Sequence, residues 1–375
     1  MKVLIVMLAA CAGISALAQA PGTLPCAETD KKCASAAALQ SPVRKKSFWS
    51  GALARPLEQR VGPAPAELVT FITLDNIQSD IPNRPRAPKI ADDLLAETKA
   101  ALGELPPVIK ALVEERLAGI YFVSDLGGTG YTDYANGGWF SHDAGFTLLD
   151  VDVLAKQTAN AWATWKENTP FKADPAFRLE ARIEDAAGDN RKNAIQYILL
   201  HELGHILSIG KDIHPRWDGP PSSVAGFPFA RLSWEFVPAE TRYASTFDKQ
   251  FVLRREVVYY FGARLGGRQM FDAYHQVADT NFPTLYAATH PGDDFAESFA
   301  SYVHTVMMKR PWEIRLYQDG KLVRTVGSCW EEERCAEKRR ILEEILGIKP
   351  SETSYQVIRQ FQDERLPVES VRYVR

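Results

Sequence analysis

The sequence predicts an α+β fold organised around one long buried helix and a small mixed sheet. Residues 196–210, QYILLHELGHILSIG, carry apolar side chains on more than one face, which is the pattern of a helix buried on nearly all sides. Short apolar runs at 120–123 and 177–184 predict strands. Both strands precede the helix, as an α+β arrangement requires.

Residues 1–18 have the features of a secretory signal peptide. Lys2 supplies a positive charge, an apolar core follows, and small residues make Ala18 a suitable cleavage point. The predicted location is therefore secreted or periplasmic. A lipid anchor at Cys11 is the alternative, although the segment before this cysteine is short for a lipoprotein signal.

Three further regions follow the signal peptide. Residues 19–62 are rich in Ala, Pro, Ser and Lys without sustained periodicity, which predicts a linker or a pro-segment. Residues 63–310 predict the main domain, with an insertion at 211–289, and residues 311–375 predict a charged C-terminal extension. The predicted elements are strands at 67–74 and 145–153, helices at 92–105, 108–119, 154–167 and 331–346, and a hairpin around Asp319 and Gly320.

Charge and hydropathy limit the possible partners. The chain has 44 basic and 47 acidic residues, so its net charge is −3, and nothing indicates nucleic-acid binding. No segment after the signal has the length needed to cross a bilayer, which predicts a soluble or at most tethered protein. The sequence does not indicate an oligomeric state.

The cysteines fall into two close pairs. Cys26 and Cys33 are near each other in the sequence, as are Cys329 and Cys335, and an exported protein meets an oxidising environment. Two local disulfides are the simplest prediction. Bridges between the N-terminal and C-terminal pairs remain an alternative, because connectivity does not follow from spacing.

The buried helix carries a metal-binding motif, HELGH. His201 and His205 are four residues apart, so both imidazoles lie on one helix face and can reach one ion. Glu202 lies to one side, where it can accept a proton from water instead of binding the metal. Gly204 is costly inside a helix, which predicts a neighbour packed closely against its backbone.

Tetrahedral zinc at a catalytic site needs a third protein ligand and an open fourth position. The expected candidate is Glu297, which interrupts the apolar stripe of a predicted helix beginning near Asp293 or Asp294. A surface salt bridge is the alternative role for this carboxylate. His214 is a weaker candidate ligand, because it follows Gly210 and could reach back only through a tight loop.

HELGH at 201–205 and DDFAESFASY at 293–302 resemble the gluzincin metallopeptidases, in particular the compact, lethal-factor-like branch. The resemblance implies a zincin-like domain in which zinc is held by His201, His205 and a glutamate on a second helix, here Glu297. It also implies that a peptide substrate lies as an extended strand along an edge strand, here 145–153. In that branch a tyrosine one or two turns before the glutamate assists the transition state.

His290 stands seven residues before Glu297, and Tyr286 precedes it by four. The sequence therefore departs from the pattern of that branch. The candidate donor to the developing oxyanion is His290 or a nearby tyrosine, and the alternative role for His290 is that of an exposed loop histidine.

The predicted function is a secreted zinc metallopeptidase in which Glu202 activates a water molecule for peptide hydrolysis. Two alternatives remain. One is a non-catalytic, zinc-stabilised binding module of the cell envelope, against which the presence of Glu202 argues. The other is a zinc amidase that cleaves a cell-wall cross-link.

Overall fold

The structure of the protein, a computed structural model, describes residues 24–138, 143–155, 157–217 and 219–349. The predicted signal peptide, the alternative lipid-anchor site at Cys11 and the C-terminal residues 350–375 lie outside these ranges. Within them, no helix combines the length and hydrophobicity needed to span a bilayer.

The fold is mixed α+β with small sheets, as predicted, and helices account for most of the regular structure. The helices are α1 (Lys31–Gln40), α2 (Ser50–Leu53), α3 (Ala66–Gln78), α4 (Asp92–Gly103), α5 (Pro107–Glu114), α6 (Val151–Leu154), α7 (Ala159–Asn168), α8 (Arg191–Ser208), α9 (Gln269–Ala278), α10 (Pro291–Tyr302) and α11 (Glu333–Ile345). The strands are β1 (Val61–Pro63), β2 (Leu117–Val123), β3 (Gly130–Ala135), β4 (Ala144–Asp150), β5 (Phe177–Arg182), β6 (Trp234–Val237), β7 (Arg242–Ser245), β8 (Glu313–Gln318) and β9 (Lys321–Gly327).

The largest sheet has the strand order β1-β2-β4-β3. β2 is parallel to β1 and to β4, whereas β3 pairs antiparallel with β4 and forms one edge. The prediction that 145–153 is an edge strand is therefore wrong, since β4 lies inside the sheet and is buried along its whole length. The edge strand on this side is β3.

Two smaller sheets complete the strand structure of the described ranges. β5, β8 and β9 form an antiparallel sheet, and β8 and β9 are joined at Asp319 and Gly320, which confirms the predicted hairpin. β6 and β7 form a short hairpin inside the insertion.

The strand predicted at 67–74 is wrong, because these residues belong to α3. Seven residues of α3 are buried, on more than one face, so its short apolar run does not show a clear helical stripe. A run of this kind does not distinguish a buried strand from a buried helix. Packing against α1 and the sheet decides the outcome.

The segment predicted as a linker or pro-segment is folded where it is described. α1 packs on α3, and Trp49 is buried beside Tyr121 and Phe146 of the sheet. The disulfide between Cys26 and Cys33 closes the start of α1. This segment therefore contributes to the core, and its removal from the mature protein stays a prediction.

Capping preferences in the sequence predict that the helix carrying HELGH begins after Asp189 or Asn190 and ends at Gly210, and the structure confirms these ends. Asn190 caps α8 by accepting a hydrogen bond from the backbone N–H of Asn193, and Gly210 adopts a left-handed conformation just beyond the helix. Gly204 faces α10 at short range. A β-carbon at this position would lie 2.7 Å from the α-carbon of Ala296, so the close neighbour expected from the sequence is present.

Gly204→Ala should force α8 and α10 apart. Because the β-carbon would meet backbone atoms that have no room to move, we expect a loss of about 1–3 kcal/mol in the free energy of unfolding. Urea denaturation measures this loss, with Gly103→Ala as the control, since a β-carbon there meets no atom within 4 Å. Equal stability of the two variants would contradict the close approach.

The C-terminal extension is anchored to α10 by a buried ion pair. Lys338 of α11 donates to Asp294, which also accepts a hydrogen bond from the Trp234 indole at 3.0 Å. Both charged side chains are completely buried. The predicted disulfide joins Cys329, which precedes α11, to Cys335 in the first turn of that helix. Both local disulfides predicted from the sequence are thus present.

Lys338→Met should strongly destabilise the fold because it leaves the Asp294 carboxylate buried without its cation. Loss of one partner of a buried ion pair costs about 3–5 kcal/mol. The control is Arg340→Met in the same helix, because Arg340 makes exposed ion pairs worth at most about 1 kcal/mol. Denaturant unfolding of both variants tests the prediction, which fails if their midpoints coincide.

Candidate metal and active site

Two helices bring three metal-ligating side chains together. His201 and His205 project from α8, and Asp293 lies in the first turn of α10. The Nε2 atoms of the histidines are 3.2 Å apart, and the Asp293 Oδ1 atom lies 3.9 Å from Nε2 of His201 and 3.7 Å from Nε2 of His205. These three side chains could hold a metal ion.

The spacing of these atoms suits zinc. Ligand atoms about 2.0–2.1 Å from a tetrahedral ion are roughly 3.4 Å apart, close to the three distances observed. Burial lowers the pKa of His205 well below its usual value, and the charge of His201 lowers it further, so this imidazole is neutral and can bind a cation. The residues present therefore fit a divalent metal ion.

Glu297, the ligand expected from the sequence, contacts the other nitrogen of His201. Its Oε1 atom lies 2.9 Å from His201 Nδ1 and 3.0 Å from Lys166 Nζ, and its Oε2 atom accepts a hydrogen bond from the Thr284 hydroxyl at 2.7 Å. Burial alone would raise the pKa of Glu297, but Lys166 and His201 outweigh it and hold the pKa well below its usual value. Both oxygens of this carboxylate thus already have partners.

A buried network supports Glu297 from behind. Lys166 also lies 3.3 Å from Glu167, which accepts hydrogen bonds at 2.7 Å from the hydroxyls of Tyr259 and Tyr274. The ammonium group of Lys166 is 4.7 Å from the centre of the Tyr286 ring. The chain of contacts from the insertion to His201 fixes the orientation of this imidazole.

The side chain of Glu202 extends from α8 towards the edge strand β3. Its Oε2 atom accepts a hydrogen bond from the Thr132 hydroxyl at 2.7 Å, and burial raises its pKa. At Gly130 a β-carbon would lie only 2.4 Å from the other oxygen of Glu202, so glycine is needed for this close approach. The carboxylate therefore lies beside the two motif histidines, but its hydrogen bond is to Thr132 instead of to an imidazole.

His290 caps α10 and borders the same cavity as the three ligating side chains. Its Nδ1 atom accepts a hydrogen bond from the backbone N–H of Gly292 at 3.1 Å. Burial, together with the nearby His214, lowers the pKa of His290 to about 4. A neutral imidazole whose Nδ1 accepts carries its proton on Nε2, so His290 has one N–H to donate.

Tyr286 is a second donor near the site, which the sequence indicated only as a nearby alternative to His290. Its ring stacks on His201, with centroids 5.5 Å apart and an interplanar angle of 24°. Burial, and then the charge of Asp293, raise the pKa of its hydroxyl well above the usual value. The hydroxyl therefore keeps its proton and can donate it in a hydrogen bond.

In front of Glu202, the outer backbone edge of β3 is not paired with any other strand of the described residues. The N–H of Asp150 donates to the carbonyl of Thr129, and bonded positions alternate along an antiparallel ladder. The backbone groups of Gly130 and Thr132 therefore face away from β4. At Asn136, four residues past Thr132, the segment 19–62 pairs with the same edge through the backbone of Arg44 and Lys46.

Two cavities meet at the site. The central cavity, about 230 Å³, is bordered by Thr132, Glu202, Asp293 and both motif histidines. The apolar cavity, about 170 Å³, adjoins it on the Gly130 side. Its apolar walls are Ile81, Leu126, Trp162, Ile198, Tyr260 and Phe261.

The large aromatic residues in the first part of the insertion have different locations. Trp217 borders the central cavity, with its ring 5.6 Å from that of His205. Phe227 borders a neighbouring cavity, whereas Phe229 and Trp234 are buried in the core. His214, the weaker candidate ligand, donates its Nδ1 proton to the carbonyl of Pro215 and does not join the three ligating side chains.

No protein-family model, no curated protein and no solved structure matches this chain.

Proposed function

We propose that this protein is an exported zinc-dependent metallopeptidase with a zincin-like catalytic domain. The observation that carries the proposal is the approach of His201 Nε2, His205 Nε2 and Asp293 Oδ1 to one another, with the buried Glu202 beside them. A metal centre with three protein ligands and a neighbouring carboxylate is typical of hydrolytic zinc sites. Two disulfides are consistent with an oxidising compartment.

We assign Asp293, instead of Glu297, as the third metal ligand. Asp293 lies on the Nε2 side of both histidines, whereas Glu297 accepts from Nδ1 of His201 on the opposite side of the ring. A carboxylate that accepts the second N–H of a metal-binding histidine sets its tautomer and orientation. Glu297 therefore positions His201, and Lys166 keeps Glu297 ionised.

Zinc at this centre would polarise the substrate carbonyl and acidify a water molecule. Glu202 accepts one proton from that water as the water oxygen bonds to the carbonyl carbon. Glu202 then delivers the proton to the amide nitrogen while the carbon–nitrogen bond breaks, and the second proton of the water passes to the released amine, giving a carboxylate and an ammonium group. The raised pKa of Glu202 suits a group that must both accept and return a proton.

The negative charge that develops on the carbonyl oxygen needs a hydrogen-bond donor. Tyr286 and His290 border the central cavity together with Asp293. Each of the two carries one proton that it can donate in a hydrogen bond. Removing one such donor from an active site typically lowers kcat by about 10²–10³. The variants Tyr286→Phe and His290→Ala would show which of the two serves this purpose.

The substrate would lie along β3. The outward backbone groups of Gly130 and Thr132 can pair with an extended peptide, which brings one of its carbonyls over the central cavity. Pairing through the backbone makes little demand on sequence. A bound peptide could not pair with Asn136, because the backbone of Arg44 and Lys46 already pairs with that residue.

Peptide profiling tests the proposal. Zinc-loaded protein is incubated with a diverse peptide mixture, and mass spectrometry identifies products that the Glu202→Gln variant does not form. Cleavage by the wild-type protein alone supports a peptidase. Equal product patterns, with zinc bound to both proteins, would overturn hydrolysis of peptides and favour the binding module or a cell-wall amide substrate.

A further inference from the structure

We infer that the apolar cavity selects peptides with a phenylalanine-sized apolar side chain next to the bond that is cut. This inference rests on the proposed function and names its substrate class. The apolar cavity opens directly beside the catalytic groups, because Glu202, His201 and Tyr286 border both it and the central cavity. A side chain within it therefore belongs to a residue adjoining the scissile carbonyl.

The size of the apolar cavity suits one aromatic ring. Its volume is about 170 Å³, and a cavity of about 150 Å³ lined by aliphatic and aromatic side chains is known to bind benzene. Glycine or alanine would leave most of this volume empty. Phenylalanine, leucine or methionine would fill it and remove apolar surface from water.

Three polar side chains at the floor of the apolar cavity already have partners in the protein. The Asn76 amide donates to the carbonyls of Asn83 and Leu126, at 3.1 and 3.0 Å. Lys166 and Glu297 pair with each other at 3.0 Å. An acidic side chain that entered would lose its water beside the carboxyl groups of Asp75, Glu202 and Glu297, so the cavity excludes Asp and Glu.

The outer wall of the apolar cavity is a tight turn of the insertion. Tyr260 has a left-handed φ of +67°, uncommon for a residue with a side chain, and the N–H of Phe261 bonds back to the carbonyl of Tyr259 at 2.8 Å. This turn leaves Phe261 66 % exposed at the edge of the cavity. An exposed aromatic there offers a contact surface to an entering side chain.

Gly128 provides a way to fill the apolar cavity without disturbing the fold. It borders the cavity, its φ is not left-handed, and the nearest atom to an added β-carbon is the carbonyl oxygen of Gly130 at 3.8 Å. Gly128→Leu should therefore place a side chain in the space that the substrate would use. Gly103→Leu is the matched control, since Gly103 has open space and borders none of these cavities.

The test has a cleavage arm and a binding arm, both with full-length mature protein loaded with zinc. In the cleavage arm, the wild-type protein should favour Phe, Leu or Met over Ala and Asp by at least about tenfold at one position next to the cut. Gly128→Leu should lose this preference, and Gly103→Leu should keep it. Phe261→Ser should weaken it several-fold, with Val252→Ser, equally exposed in the same insertion, as its control.

In the binding arm, calorimetry compares acetyl-Gly-Gly-Xaa-Gly-Gly-amide peptides, with Xaa as Phe or Asp, on the Glu202→Gln protein. We expect the Phe peptide to bind at least about tenfold more tightly, and Gly128→Leu in the same background to remove the difference. Binding discrimination without any cleavage would support the apolar cavity and overturn the proposed hydrolysis. Cleavage without discrimination in either arm would support hydrolysis and overturn the inference.

Discussion

Glu202→Gln should lower kcat for peptide hydrolysis by about 10²–10⁴ while leaving zinc bound, because the amide keeps the shape of the carboxylate but does not accept a proton. Thr132 can still donate to the amide oxygen, so the side chain should stay in place. Glu202 is not among the three ligating side chains, so zinc content should not change. Single-turnover kinetics and metal analysis of the same preparation measure both quantities.

A control separates the loss of the base from general damage. Glu235→Gln makes the same chemical change at an exposed position of the insertion, and it should leave kcat and zinc content unchanged. If Glu202→Gln retained wild-type turnover, Glu202 would not be the general base. If the variant lost its zinc, the comparison would instead show that Glu202 helps to bind the metal.

Asp293→Ala should reduce zinc affinity by more than about 100-fold, and Glu297→Gln should reduce it less. Residues that hold a ligating histidine by a hydrogen bond usually contribute about 10–100-fold to metal affinity, and a lost ligand should exceed that range. The glutamine at 297 can still accept from Lys166 through its amide oxygen, which limits the effect on folding. Competition with a chromophoric chelator measures both affinities.

The order of the two effects decides between two ligand sets. A larger loss for Glu297→Gln than for Asp293→Ala would restore Glu297 as the ligand expected from the sequence. Asp212→Ala, an exposed carboxylate in the loop after α8, is the control and should leave zinc affinity unchanged. Denaturant unfolding of each metal-free variant shows whether a loss of zinc affinity is caused by a less stable fold.

Several features of the fold could be predicted because they depend on neighbours in the sequence. The ends of α8, the hairpin at Asp319 and Gly320, and the two local disulfides follow from short-range capping, turn and spacing rules. The strand assigned to 67–74 failed because a short run buried on all sides has no distinctive period. The position of β4 inside its sheet depends on its pairing with both β2 and β3, which the apolar pattern of β4 itself does not show.

The sequence by itself determined the chemistry of one helix, with His201 and His205 on one face and Glu202 beside them, because a four-residue spacing places side chains together in any α-helix. Only the tertiary structure decided the roles of the acidic residues on the second helix. Asp293 faces the histidines, Asp294 pairs with Lys338 in the core, and Glu297 lies behind His201.

Nothing in the local sequence distinguishes these three carboxylates, since all belong to two turns of one amphipathic helix. Their partners come from α7, α8 and α11, which are distant in the chain. The rotation of α10 against those helices, set by packing such as that at Gly204, therefore selects which carboxylate reaches the metal site.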